Sequence, residues 1–251
     1  MGEKTIKFNS KYLKINGALV KAPKVVEPAD LCFTAEQAGS TVKLSRVGDI
    51  TPWTIETSTD GVNFSAYTLG ASITLVNVGD RVYFRGSETN VKNQSFVNYH
   101  KFIMSGKIAS RGNIMSLIGY SETMANYQFV SLFQGCEALT SPPSLPQKTL
   151  TQNCYANLFK DDTSLVKVPK LPATNVPTYY YQYMFDGCTS LKAYPTSGEG
   201  HDKEWRLPTE ETFSQAATQI FMFRGVQGVI SQDLVVQANT SVTFYTEYEP
   251  V

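Results

Sequence analysis

The chain has no surplus of charge of either sign. Across 251 residues, 22 Lys and Arg offset 22 Asp and Glu, for a formal net charge of zero. That removes the basic excess on which electrostatic nucleic-acid binding rests. Histidine is scarce: His100 falls in the strand-like VNYHKFIM and His201 in a polar loop of mixed charge. Neither lies beside a Gly-x-Ser-x-Gly elbow, so no Ser/His/Asp triad is expected. No phosphate-cradling GxxxxGK and no G-x-G-x-x-G is present. The four cysteines, Cys32, Cys136, Cys154 and Cys188, form no CxxC and no Cys/His cluster, so no zinc site is expected. No apolar run approaches the length that a membrane-spanning helix needs. Glu210-Glu211 reads as the solvated, acidic first turn of a helix rather than as a catalytic pair. The expectation is a non-enzymatic protein without cofactor or metal, with no nucleic-acid partner and no membrane insertion.

What the chain does contain is aromatic: 14 Tyr and 14 Phe, punctuated by 17 Gly and 12 Pro. Such a composition suits a mainly β protein with short helices. Residues 1–27 carry interspersed lysines and an Asn16-Gly17 turn signal. They read either as an attachment arm that docks on a larger assembly or as an edge strand of the adjoining β domain. Residues 28–108 alternate in short strands. Thr41 to Leu44 is one, Trp53-Ile55-Thr57 the next, and Val62 and Phe64 resume after the turn at residues 58–61. Ile73, Leu75 and Val78 make another, then Val82 and Phe84 beyond Gly79-Asp80, then Phe102 and Met104. This spacing predicts a β-sandwich, and WTIETSTDGVNF resembles hairpins of immunoglobulin-like modules.

Residues 127–195 repeat. Phe133, Phe159 and Phe185 recur at steps of 26, as do Leu139, Leu165, Leu191 and Pro143, Pro169, Pro195. Phe129, Tyr155, Tyr181 and Leu132, Leu158, Met184 keep the same step. Apolar residues at i, i+3 and i+4 predict a short helix in each unit, followed by an extended segment ending at proline. A period of this length signals a solenoid whose units bury a shared core only when stacked. Ile114, Met115, Leu117 and Ile118 are expected to cap its open end. Cys136 and Cys188 fall two units apart, beyond disulfide reach, and read as small buried residues. The domain reading is 28–108 for the sandwich, 109–200 for a solenoid of 26-residue repeats, and 201–251 for a C-terminal capping region. In the last stretch residues 196–205 read as a loop. Phe213, Ala216, Ala217, Ile220 and Phe221 read as one amphipathic helix, Met222 to Gly225 as a degenerate fourth unit, and the end as two strands about residues 237–240.

The text MFDGCTSLKAYP (residues 184–195), echoed by LFQGCEALTSPPSLP (residues 132–146), resembles the BspA-like leucine-rich repeats. The likeness covers about a quarter of the chain. It implies adhesion or virion structure rather than catalysis, since such repeats occur in gut and oral bacterial surface proteins and in proteins of their phages. The start, MGEKTIKFNSKYLKING, has no apolar h-region. If Met1 is the native start, the protein stays in the cytoplasm until something releases it, as a virion component does. The expectation is therefore a phage fibre or capsid-decorating protein, located in the virion. It would contact other virion proteins through its N-terminal arm, form a homo-oligomer (a trimer by resemblance), and touch a host-surface glycan or protein. The alternatives are a bacterial cell-surface adhesin and a carbohydrate-binding or carbohydrate-cleaving module. The candidate ligand-binding residues are Tyr127, Tyr179 and Tyr183, in slots where the second repeat carries Asn153 and Asn157, together with Trp205 in the adjoining polar stretch. Exposed tyrosines offer apolar area with a polar tip, while the competing reading packs each on its neighbour.

Overall fold

The computed structural model describes residues 12–15, 18–21, 29–173, 179–194, 196–198, 201, 203–206, 221–228 and 243–246. These residues are mainly β with few helices. Strands β1 (Tyr12–Ile15) and β2 (Ala18–Lys21) pair antiparallel on either side of the Asn16-Gly17 dipeptide.

Next come β3 (Leu31–Ala35), β4 (Ser40–Val47), β5 (Ile55–Ser58), β6 (Ser65–Ala66), β7 (Ile73–Leu75), β8 (Arg81–Gly86), β9 (Tyr99–Ser105), β10 (Ile108–Arg111) and β11 (Leu139–Ser141). One sheet has the order β11-β10-β3-β8-β5-β6 and a second the order β7-β4-β9. Alternation sets the inward face: Ser40, Val42 and Leu44 are buried, while Thr41 and Lys43 are half-buried. The two sheets meet through aromatic edges. Phe33 of β3 lies 4.9 Å from Phe102 of β9, and Phe84 of β8 lies 5.2 Å from it. Each fully buried Phe contributes roughly 1.5–3 kcal/mol.

Two expectations for this region need correction. Val62 and Phe64 do not resume a strand. The Asp60 carboxylate accepts the amides of Val62 and Asn63 at 2.8 Å, which holds the chain in a turn and leaves Val62 77% exposed. Pairing starts only at Ser65. Val78 is likewise exposed and outside β7. The chain leaving β7, which pairs with β4, crosses to the other sheet before β8.

Among the described residues the repeats contain no α-helix. Each forms a rung of overlapping turns, because every fourth residue adopts a left-handed backbone. Tyr127, Ser131 and Gly135 do so in the first rung, Asn153, Asn157 and Asp161 in the second, Tyr179, Tyr183 and Gly187 in the third. Backbone amides then alternate in direction. Those of Val130, Leu132 and Gln134 donate within the rung to the carbonyl three residues back. Those of Phe129, Ser131, Phe133 and Gly135 donate to Cys154, Ala156, Leu158 and Lys160 of the next rung. Asn157 and Phe159 repeat this onto Gln182 and Met184, and Phe185 and Gly187 onto Met222 and Arg224. A helix sends every amide to its own chain and keeps φ negative, so the apolar spacing was compatible with a helix but this hydrogen bonding is not.

The fourth rung thus forms at residues 221–225, with a step of 38 from the third instead of 26. Phe221, expected in a helix, sits there at φ 56. The other four positions of that helix, and the first of the two C-terminal strands, lie outside the described residues. Residues 203–205, expected as loop, lie in strand β13 (Lys203–Arg206). Together with β12 (Ala193–Tyr194) and β14 (Thr243–Thr246), it gives a sheet of order β12-β14-β13. Its partner β14 is remote in sequence, so local polarity is no guide to it.

Two aromatic columns run through the rungs. Phe133, Phe159, Phe185 and Phe223 stack at 5.5, 5.7 and 5.8 Å, and Phe129, Tyr155 and Tyr181 at 6.1 and 6.0 Å. Phe102 of β9 extends the first column, 5.3 Å from Phe133, and the Phe102 amide donates to the Leu132 carbonyl at 2.7 Å. On the strand side, β11 runs parallel to β10. Sheets and rungs therefore share one hydrophobic core from Leu31 to Val226, and Ile108 and Ala109, which flank the expected domain boundary, both lie in β10. Ile114, Met115, Leu117 and Ile118 are buried in a 3₁₀ helix, and all four cysteines are buried and free.

Candidate functional site

The left-handed positions line up in slots from rung to rung. One slot reads Tyr127, Asn153, Tyr179 and the next Ser131, Asn157, Tyr183, Phe221. Asn suits this backbone, because its short side chain can hydrogen-bond locally, whereas a bulky residue there is an outlier. Tyr127 (φ 59), Tyr179 (φ 61) and Tyr183 (φ 53) each carry strain of about 1–3 kcal/mol. The Tyr127 amide is held by a rung-to-rung bond to the Gln152 carbonyl at 2.9 Å.

The change of residue size along the second slot makes a notch. Tyr183 stacks on Phe221 at 5.3 Å and forms one wall. Asn157 is smaller and leaves a step, and Phe96 lines the notch as well. The notch measures about 440 Å³ and is completed by Lys160, Gln182 and Arg224. This is within the roughly 300–1,000 Å³ of small-molecule pockets.

Phe96 comes from the loop before β9, and a buried polar chain holds that loop. The Gln94 side-chain oxygen accepts the His100 amide at 2.7 Å, and the Gln94 side-chain amide donates to the Gln128 carbonyl. The Trp53 amide donates to His100 Nε2 at 3.2 Å, which assigns the ring proton to Nδ1, facing Gln94 Oε1 at 3.2 Å. Trp53 stacks on the imidazole at 4.2 Å and meets Phe129 edge-on. Burial pushes the His100 pKa down to about 4, with Arg46 and Lys92 adding to the effect, so the ring is neutral. Phe96 itself is 44% exposed and meets Tyr127 edge-on at 5.3 Å.

Charge at the notch is paired. Arg224 grips Asp186 in a fork, Nε to Oδ1 at 2.8 Å and Nη2 to Oδ2 at 2.6 Å, and Lys160 binds the same Oδ2. Lys160 also lies 3.8 Å from Asp161. Burial alone would raise the Asp186 carboxyl, but the Arg224 and Lys160 contacts outweigh it and hold it below its ordinary value. Both cations lie over the Tyr183 ring, Arg224 at 5.5 Å and Lys160 at 5.7 Å.

Of the expected binding residues, Tyr183 is a wall of the notch and Tyr127 backs Phe96. Tyr179 shares the slot of Tyr127 two rungs away, half-buried, with Asn153 between. Trp205 lies in β13 opposite Phe244, with its side chain outside the described residues. Sequence reasoning passed over Phe96, Lys160 and Arg224. Lys160, Asp186 and Arg224, which share a slot, alternate in sign down the repeats, which is a legible pairing signal. Phe96 left none, because it precedes the repeats. A second cleft of about 500 Å³ lies on the strand side, lined in part by Glu36, Lys107, Thr140 and Ser141. Its Thr140 and Ser141 hydroxyls are already spent on Ile108 and Ser110 carbonyls.

Among the described residues no group of His, Cys, Asp and Glu is placed to hold a metal ion, and no helix is long and apolar enough to cross a membrane. Compared with known proteins, the chain matches no family model, no curated protein and no solved structure.

Proposed function

We propose that the chain is a non-catalytic recognition component of a phage virion, a fibre or capsid-decorating protein. It would consist of a β-sandwich joined to a short leucine-rich-repeat solenoid, and it would present the Phe96–Tyr183 notch to the host surface. The observation that carries the recognition part is Tyr183 itself: an aromatic side chain held in a strained backbone slot, where the two preceding rungs use Ser131 and Asn157. Strained residues cluster at functional positions, and the notch gives this one a use. The virion part rests on the resemblance of the repeats. Assembly through the N-terminal arm, as a trimer, belongs to the same reading.

Mass spectrometry of purified particles tests the virion assignment, which fails if the protein is absent from them. Light scattering on the full chain and on a chain lacking residues 1–27 tests the arm. The assembly reading expects an oligomer that becomes a monomer on trimming.

A further inference from the structure

The notch has features that select a class of ligand. Its walls are two aromatic rings from different parts of the fold, Phe96 from the loop before β9 and Tyr183 from the third rung. Its lining includes the planar amide of Gln182 and also Asn157, whose Oδ1 is buried and whose Nδ2 faces Ser131 Oγ at 3.5 Å. Its two cations are seated on carboxylates: Arg224 and Lys160 on Asp186, and Lys160 near Asp161 as well. Two positive groups against two negative ones leave no net charge for a ligand to satisfy. An anionic ligand would have to displace carboxylates already held by forked, charge-assisted bonds.

The rung backbone at Asn157 and Gln182 is also spent. The Asn157 amide is bound to the Gln182 carbonyl at 2.8 Å, and the Gln182 amide to the Tyr179 carbonyl. A peptide adding itself as a strand would find no open edge there. What remains available is apolar ring surface, amide donors and acceptors, and the outer N–H groups of the two cations. A puckered sugar ring with C–H groups on its faces and hydroxyls at its edge matches that inventory.

We infer that the notch takes a neutral pyranose ring of a surface glycan, stacked between Phe96 and Tyr183, with its hydroxyls on the Gln182 amide. This rests on the recognition reading above and adds the ligand class to it. Lys160 and Arg224 serve as hydroxyl donors and steady the Tyr183 ring, while Phe96 sets the width of the opening.

The test uses the full chain and two immobilised panels, one of neutral hexose oligosaccharides and one of uronic-acid-containing oligosaccharides, read at low and at high salt. The repeat supplies its own control variant. Tyr183→Asn installs the residue that Asn157 carries at the same slot with φ 56, so the backbone is suited to it. Phe96→Ser changes an exposed loop residue. The expected result is binding to neutral oligosaccharides that salt does not alter, weakened tenfold or more by either substitution, with melting curves like the parent's. Binding confined to the acidic panel and lost at high salt would overturn the neutral-sugar assignment while leaving recognition at the notch intact. Absence of binding to both panels, or binding untouched by both substitutions, would overturn recognition at the notch itself.

Discussion

Phe102 and Phe133 stack at 5.3 Å with their planes 8° apart, although one belongs to a strand of the N-terminal sheets and the other to the first repeat. The contact continues the column of Phe159, Phe185 and Phe223, and a backbone hydrogen bond accompanies it. The sheet region therefore acts as the first layer of the repeat stack.

Replacing Phe102 by Ala should act on both regions at once. The ring is fully buried, so the loss is about 3–5 kcal/mol. Calorimetry should show one transition moving as a unit. Two separate transitions, with only the earlier-melting one displaced, would contradict a shared core.

Tyr183→Asn should separate stability from binding. It removes stacking on Phe221 but relieves a left-handed backbone that Asn tolerates. Denaturant unfolding should place the variant within about 1 kcal/mol of the parent, since each of the two opposing effects is about that size. A loss several times larger would mean that Tyr183 is a packing residue first.

His100 ties loop position to pH. Its folded pKa of about 4 lies below the ordinary value of 6.5, so the fold favours the neutral ring. Its stability contribution is complete above about pH 6.5 and is lost as pH falls through the folded value, to a limit of about 3 kcal/mol. Protonating Nε2 would also break its bond from the Trp53 amide and loosen the Gln94 loop that carries Phe96. Melting temperatures measured from pH 7 to 4 should fall, and less steeply in His100→Gln.

Asp162 should show the opposite slope. It is fully buried, in the slot that Cys136 and Cys188 occupy in the rungs on either side. Its Oδ1 accepts the Cys136 amide at 2.8 Å, and its Oδ2 has no partner among the described residues. Burial pushes its carboxyl well above the ordinary 3.8. Stability from this group is complete below that value and is lost as pH rises through the higher folded pKa. Asp162→Asn should melt higher than the parent at pH 7, with the difference closing toward pH 4. A constant difference across that range would show that Asp162 does not titrate in this way.

Much of this protein was legible before any fold was known. The step of 26 named every member of both aromatic columns within the repeats, and Met222 to Gly225 announced the fourth rung despite its longer step. Tyr127 and Tyr183 stood out because Asn occupied their slots one unit away. The inward faces of β4, β8 and β9 followed from alternation. These features depend on spacing along the chain, which the sequence records directly.

Other features depended on which groups meet in space. Apolar residues at i, i+3 and i+4 suit a helix and also suit a rung of turns. Only the rung-to-rung bonds, such as Phe133 N–H to Leu158 O at 3.0 Å, select the latter. β13 exists because β14, about forty residues later, pairs with it. Phe96 belongs to the notch because Gln94, His100 and Trp53 fix its loop against Tyr127, a contact across 31 positions that no local pattern encodes. The sequence by itself determined the period, the columns and the slots where Tyr stands in place of Asn, since a repeat writes its own register. The notch was decided only by the tertiary structure, because its two walls come from segments that folding alone brings together.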